Sequence, residues 1–148
     1  MTAALVFRVL DRSCALPLEA VVETMRPLPI EAVSGMPRFV LGMSIIRGAP
    51  VVVVDAGLLL GDRASTAGRA VTVRTASRTV ALLVDRVIGV RTLTERSPED
   101  LPPLLDKAAG DTIAVIAALD NELLLVLRGA RLVPDEALAR TGPDGVDA

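Results

Sequence analysis

The longest uninterrupted apolar run in this chain, Ile113–Leu119, ends at an Asp-Asn-Glu triplet, and most other apolar segments are shorter, rich in β-branched residues, and punctuated by Gly, Pro, Asp or Asn. Runs of that length and β-branched content read as strands between turns. They fall far below the roughly 18 apolar residues that a membrane-spanning helix needs. The pattern predicts an all-β chain. Residues 4–10 form a first strand and residues 51–54 a buried one preceded by Pro50. In "RAVTVRTASRTVALLVD", Val71 and Val73 alternate with Ala70, Thr72 and Arg74, and a tight turn near Ala76-Ser77 returns the chain through Val80, Leu82 and Val84. "IAVIAALDNELLLVL" repeats the hairpin plan, with strands 113–119 and 123–127 about Asp120-Asn121-Glu122.

Helix is sparse. "PLEAVVETMR" carries Val21, Val22 and Met25 at helical spacing, with Pro17 suited to a first turn and Pro27 to a stop, so one or two turns are expected there. Ser97-Pro98-Glu99-Asp100 has the form of a capped helix start that Pro102-Pro103 ends at once. Residues 134–140 read as a closing helix, acidic in its first turn and with Arg140 in its last, before a solvated tail.

Nearly every strand is apolar on both faces, so each must be covered on both sides by sheet, helix or another molecule. Small closed barrels meet that demand internally. A chain of 148 residues can form one domain, or two very small barrels fused into one unit. With 51% apolar but only 1% aromatic residues, the core is built from Val, Leu, Ile and Ala, which disfavours base-stacking modules. A formal net charge of -2 and no Lys/Arg cluster leave no footprint for nucleic acid or anionic lipid. The start meets Arg8 and Asp11 before any signal-like apolar stretch develops. The expected setting is cytoplasmic, with no nucleic acid and no direct membrane insertion.

The chain has one cysteine, Cys14, and no histidine, which removes internal disulfides, imidazole-ligated metals and histidine acid/base chemistry. With no histidine to activate it, Cys14 reads as a small buried hydrophobe. No cofactor or metal is expected.

In "VLGMSIIRGAPVVVVDAG", Arg47 is the one charge in an apolar stretch that runs to Asp55. Gly48 supplies a turn with positive φ between two strands. Arg47 is costly to bury unpaired, so it lies at the surface or meets a carboxylate. One reading makes it an interface anchor ringed by apolar groups. The other pairs it with Asp55 or Asp85 to pin two barrels together. Asp55 and Asp85 each end an apolar strand, where a carboxylate usually accepts bonds from turn amides. "VVVVDAG" also has the form of the catalytic turn of retropepsin-like aspartic proteases. Ala56 lacks the hydroxyl used there, and the single triplet would need a homodimer.

The block "VLGMSIIRGAPVVVVDAGLLLG", followed by "VALLVDRVIGVRTL", resembles the CheW-like family of chemosensory coupling proteins. Its members show a glycine, an Asn-Leu-Arg-Gly turn, an apolar strand ending in Asp, then a later Val-Asp-x-Val-x-x-Val. Here these are Gly42, Ile45-Ile46-Arg47-Gly48, Asp55, and Val84 through Val90. The chain departs from the pattern at Ile45, usually Asn, at Val52, often proline, at Val115, often glycine, and at Arg128, often Asp or Asn. The resemblance implies a non-enzymatic scaffold of two interleaved five-stranded SH3-like barrels over residues 4–133, with residues 134–148 as a helix and tail. It implies coupling of a chemoreceptor cytoplasmic tip to the regulatory domain of a histidine autokinase, which shares the fold. The positions that match partner-contacting ones are Val21, Glu23, Arg47, Gly48, Val87 and Val90. An adaptor of this type repurposed for another sensory kinase is the alternative.

Overall fold

A computed structural model describes residues 2–75, 78–95, 113–119 and 122–127. Its strands are β1 (Thr2–Val9), β2 (Arg12–Pro17), β3 (Val21–Met25), β4 (Val40–Ile46), β5 (Ala49–Asp55), β6 (Arg69–Arg74), β7 (Thr79–Val84), β8 (Arg86–Glu95), β9 (Ile113–Leu119) and β10 (Glu122–Leu127). A 3-10 turn, Leu18–Ala20, follows β2, and a short helix α1 (Ala56–Leu60) follows β5. Two stretches of the chain, at its beginning and its end, close one barrel in the order β1-β2-β10-β9-β8, while its middle forms a five-stranded sheet in the order β3-β6-β7-β5-β4. The second unit is thus inserted between β2 and β8 of the first. Each contains one parallel pair, β2 with β10 and β5 with β7, and every other ladder is antiparallel. The architecture is all-β and of the SH3-like double-barrel type, with the second unit left unbonded between β3 and β4.

Three apolar layers explain why the strands are apolar on both faces. Leu5, Phe7 and Val9 of β1, Cys14 and Leu16 of β2, and Leu127 pack against Val52 and Val54, Val71 and Val73, and Val80, Leu82 and Val84 in a shared layer between the two units. The alternate residues Ala4, Val6, Ala15, Leu93 and Val126 fill the first barrel. The alternate residues of the middle strands, Val51, Val53, Ala70, Ala81 and Leu83, form the third layer with Ile46. Period-two alternation therefore sends the buried apolar side chains of these strands alternately into one layer or another. The interiors are aliphatic, whereas Phe7, wholly buried, lies in the shared layer. A side chain of that size contributes about 3 kcal/mol on burial.

The expected hairpins are present: β6 pairs with β7 from Arg69↔Val84 to Arg74↔Thr79, and β9 pairs with β10. Their turn residues at 76–77 and 120–121 lie outside the described residues, as do the expected helices at 97–100 and 134–140. Pro50 falls inside β5 rather than before it, and it is tolerated because β5 pairs with β7 only from Val52 onward. The helix expected around Val21, Val22 and Met25 is corrected. After the single 3-10 turn, residues 21–25 are extended and pair with β6, Val21 opposite Val73 and Met25 opposite Ala70. Two adjacent valines resist a helix, and the free edge of β6 bonds the backbone that a two-turn helix would leave half satisfied. Helix α1 has no counterpart among the sequence expectations. It starts because the Asp55 carboxylate caps the Leu58 N–H, and it is only one turn long.

Candidate partner-binding site

Strands β4 and β5 meet at a two-residue turn, with Ile46 paired to Ala49 and both central residues at positive φ, 51° for Arg47 and 81° for Gly48. That is the turn form whose twist matches a hairpin. Gly48 is required by conformation and not by crowding, since an added Cβ would meet nothing within 4 Å. The Arg47 side chain is exposed at this turn and reaches the end strand β3. Its Nε donates to Glu23 Oε2 at 2.6 Å and its Nη2 to Glu23 Oε1 at 2.8 Å. Because β3 and β4 are the two ends of the middle sheet, this bidentate pair ties one edge to the hairpin at the other. The Arg47 side chain keeps 77% of its exposure and Glu23 only 25%. Arg47's hydrogen bond holds the Glu23 carboxyl below its usual value, and the same bond raises Arg47. A pair this exposed adds little to folding stability, so what it fixes is the direction of the two side chains.

A residue that sequence reasoning missed sets Glu23 in place. The β3–β6 register slips between Val21 and Glu23, which disturbs the ladder at that point. The Thr72 hydroxyl fills the gap, accepting from Glu23 N at 3.1 Å and donating to Glu23 O at 3.2 Å, while itself almost wholly buried. The available signal was a lone hydroxyl in a strand, "RAVTV", that is otherwise apolar on both faces.

Val21 and Val87 are half-buried and pack on the shared layer between the units. On β8, Val87 lies opposite Phe7 and Val90 opposite Leu5, so both valines share the face of that layer. Val90 remains 51% exposed. The fold thus joins Glu23 and Arg47 directly, seats Val21 and Val87 on one core, and leaves Val90 and Gly48 open to solvent.

The expected pairing of Arg47 with Asp55 or Asp85 is corrected, because both carboxylates are used elsewhere. Asp55, 1% exposed, accepts from Leu58 N at 3.0 Å, Ser65 N at 2.9 Å and Ser65 Oγ at 2.7 Å. Asp85 accepts from Thr66 N at 3.0 Å. The two aspartates hold the segment between α1 and β6, as their turn-forming reading requires. A protease aspartate must be open to water and substrate, and Asp55 is neither. Among the described residues no group of Cys, Asp and Glu could hold a metal ion. Cys14 is fully buried, and burial pushes its thiol up to about 12 against the opposing pull of Arg12 and Arg8.

A family model for the CheW-like domain matches residues 3–137. The chain belongs to the CheW-like family. It is 27% identical over 133 residues to the chemotaxis protein CheW of Rhizobium meliloti (strain 1021), covering 88% of this chain and 86% of that protein. The fold is similar to that of the crystal structure of the scaffolding protein TtCheW from Thermoanaerobacter tengcongensis, with a TM-score of 0.77, 20% identity, and coverage of 90% of this chain and 92% of that one. This CheW-like chain is accordingly a non-enzymatic adaptor scaffold. Among the described residues no helix is long and apolar enough to cross a membrane. Two of its departures from the family pattern have defined surroundings. Val52 is buried in β5, whereas Ile45 is 64% exposed. Arg128 lies outside the described residues.

Proposed function

We propose that the protein couples chemoreceptors to a histidine autokinase in the cytoplasm, through the surface around Val21, Glu23, Arg47, Gly48, Val87 and Val90. The observation that carries this reading is the Arg47–Glu23 pair: a charged, directional group held rigidly at an exposed hairpin tip, where its small contribution to stability leaves recognition as its use. The coupling unit is residues 4–133, and residues 134–148 lie outside it. Binding kinase and receptor at fixed orientation raises their effective concentration and lets a small receptor movement bias the kinase's conformational equilibrium. No cofactor, metal or nucleic acid takes part.

Titration calorimetry against the regulatory domain of a histidine autokinase from the same organism tests the reading. Micromolar binding is expected, followed by binding of a receptor's cytoplasmic tip. Absence of binding to any such domain would reject the coupling role. The alternative, an adaptor serving a kinase outside chemotaxis, draws on the changed residue at Ile45, and kinase binding without receptor binding would select it.

A further inference from the structure

Ile45 is the most exposed large aliphatic side chain among the described residues, at 64%, although its neighbours Ser44 and Ile46 are buried. Its exposure follows from strand alternation and not from a loose chain end. Across the hairpin it faces Pro50, which is also exposed and has no N–H to offer. Val22, the residue before Glu23, is exposed as well. Each Glu23 carboxylate oxygen accepts one bond from Arg47, from Nε and Nη2 respectively, so the guanidinium keeps three N–H donors, two on Nη1 and one on Nη2. The hairpin therefore offers a partner a cationic donor group beside an aliphatic surface. Asparagine, usual in the family at Ile45, would have offered a donor and an acceptor there instead.

We propose that Ile45 is a specificity-determining residue of the partner surface, selecting a receptor-tip helix that sets an aliphatic side chain against it and an acceptor against Arg47. A receptor tip built to hydrogen-bond an asparagine leaves its polar group desolvated and unpaired at Ile45, and is rejected for that reason. The inference rests on the coupling reading above and adds the chemistry of the partner's contact.

The test is calorimetry of the full chain with the soluble cytoplasmic hairpin fragment of a chemoreceptor encoded in the same genome. Ile45→Asn should weaken binding about tenfold or more, and Ile45→Val should stay within about threefold of the unchanged chain. Thermal melts of both variants should match the parent, because the side chain is exposed. Binding of Ile45→Asn within about twofold of the parent, or an Ile45→Val as weak as Ile45→Asn, would overturn the proposal and leave the coupling reading intact. Failure of the unchanged chain to bind any receptor fragment would remove the coupling reading and the proposal together.

Discussion

Arg47 and Glu23, 24 residues apart in the chain, meet through two parallel hydrogen bonds that join a hairpin tip to the strand at the opposite end of the same sheet. The pair closes by side chains the side of the middle sheet that backbone bonds leave open between β3 and β4.

Arg47→Glu puts like charges together at this point and should lower partner binding at least about tenfold while leaving the melting temperature almost unchanged. The swapped variant, Glu23→Arg with Arg47→Glu, should likewise melt like the parent and should recover part of the binding. Calorimetry and circular dichroism read both. A large fall in melting temperature with intact binding would instead make the pair a structural clasp.

Glu23 sits below its ordinary value of 4.5, chiefly through the hydrogen bond from Arg47. A carboxyl lowered in the folded state contributes fully above the ordinary value and loses its contribution as pH falls through the lowered one. The ion pair should therefore persist unchanged from about pH 5 to pH 8 and dissolve only in more acidic solution. Carbon NMR of the Glu23 carboxyl checks this, and Arg47→Gln should return its titration to the ordinary range.

Asp55→Ala removes three accepted hydrogen bonds from a buried site and should cost about 3 kcal/mol or more in denaturant melts. Asp55→Asn keeps one carbonyl oxygen and should lose less. Partner affinity of the remaining folded chain should not change, because the carboxylate serves α1 and Ser65 and no ligand.

Gly42→Ala would place a Cβ 2.1 Å from the Glu31 carbonyl oxygen at a φ of +147°. That carbonyl and the Glu31 amide bond Met43 at 2.9 and 2.8 Å, so the segment crossing β4 must shift and break both. The expected loss is about 3 kcal/mol. Gly48→Ala meets no atom and carries only the left-handed penalty, about 1 kcal/mol. Thermal melts of the two variants should separate crowding from conformation.

Cys14, with its thiol pushed up to about 12, should not react with a disulfide reagent near pH 8 while the chain is folded. Labelling should appear only with unfolding, so its rate under native conditions measures how often the shared layer opens. Rapid labelling of the folded chain would contradict the packing between the two units.

Much of this protein is legible residue by residue. The alternation at Val71 and Val73 and at Val80, Leu82 and Val84 locates the β6–β7 hairpin, and the turn at Arg47-Gly48 carries its own glycine. The aspartates after "VVVV" and "ALLV" read correctly as turn carboxylates. Val21 and Val22 read incorrectly, since spacing at 21, 22 and 25 fits a short helix until β6 supplies an edge for them. Thr72 showed only as a lone hydroxyl between valines, and its use depends on a register slip in another strand.

The sequence alone determined that these strands are short and must be covered on both faces, since side-chain alternation and β-branching are local properties. Which carboxylate answers Arg47 was decided only in three dimensions. Asp55 lies far closer in sequence, but its oxygens are taken by Leu58 and Ser65, and the partner is Glu23, brought across from β3 when the sheet curls. Sequence separation carries no record of that curvature, which arises from the twist and packing of all five strands together.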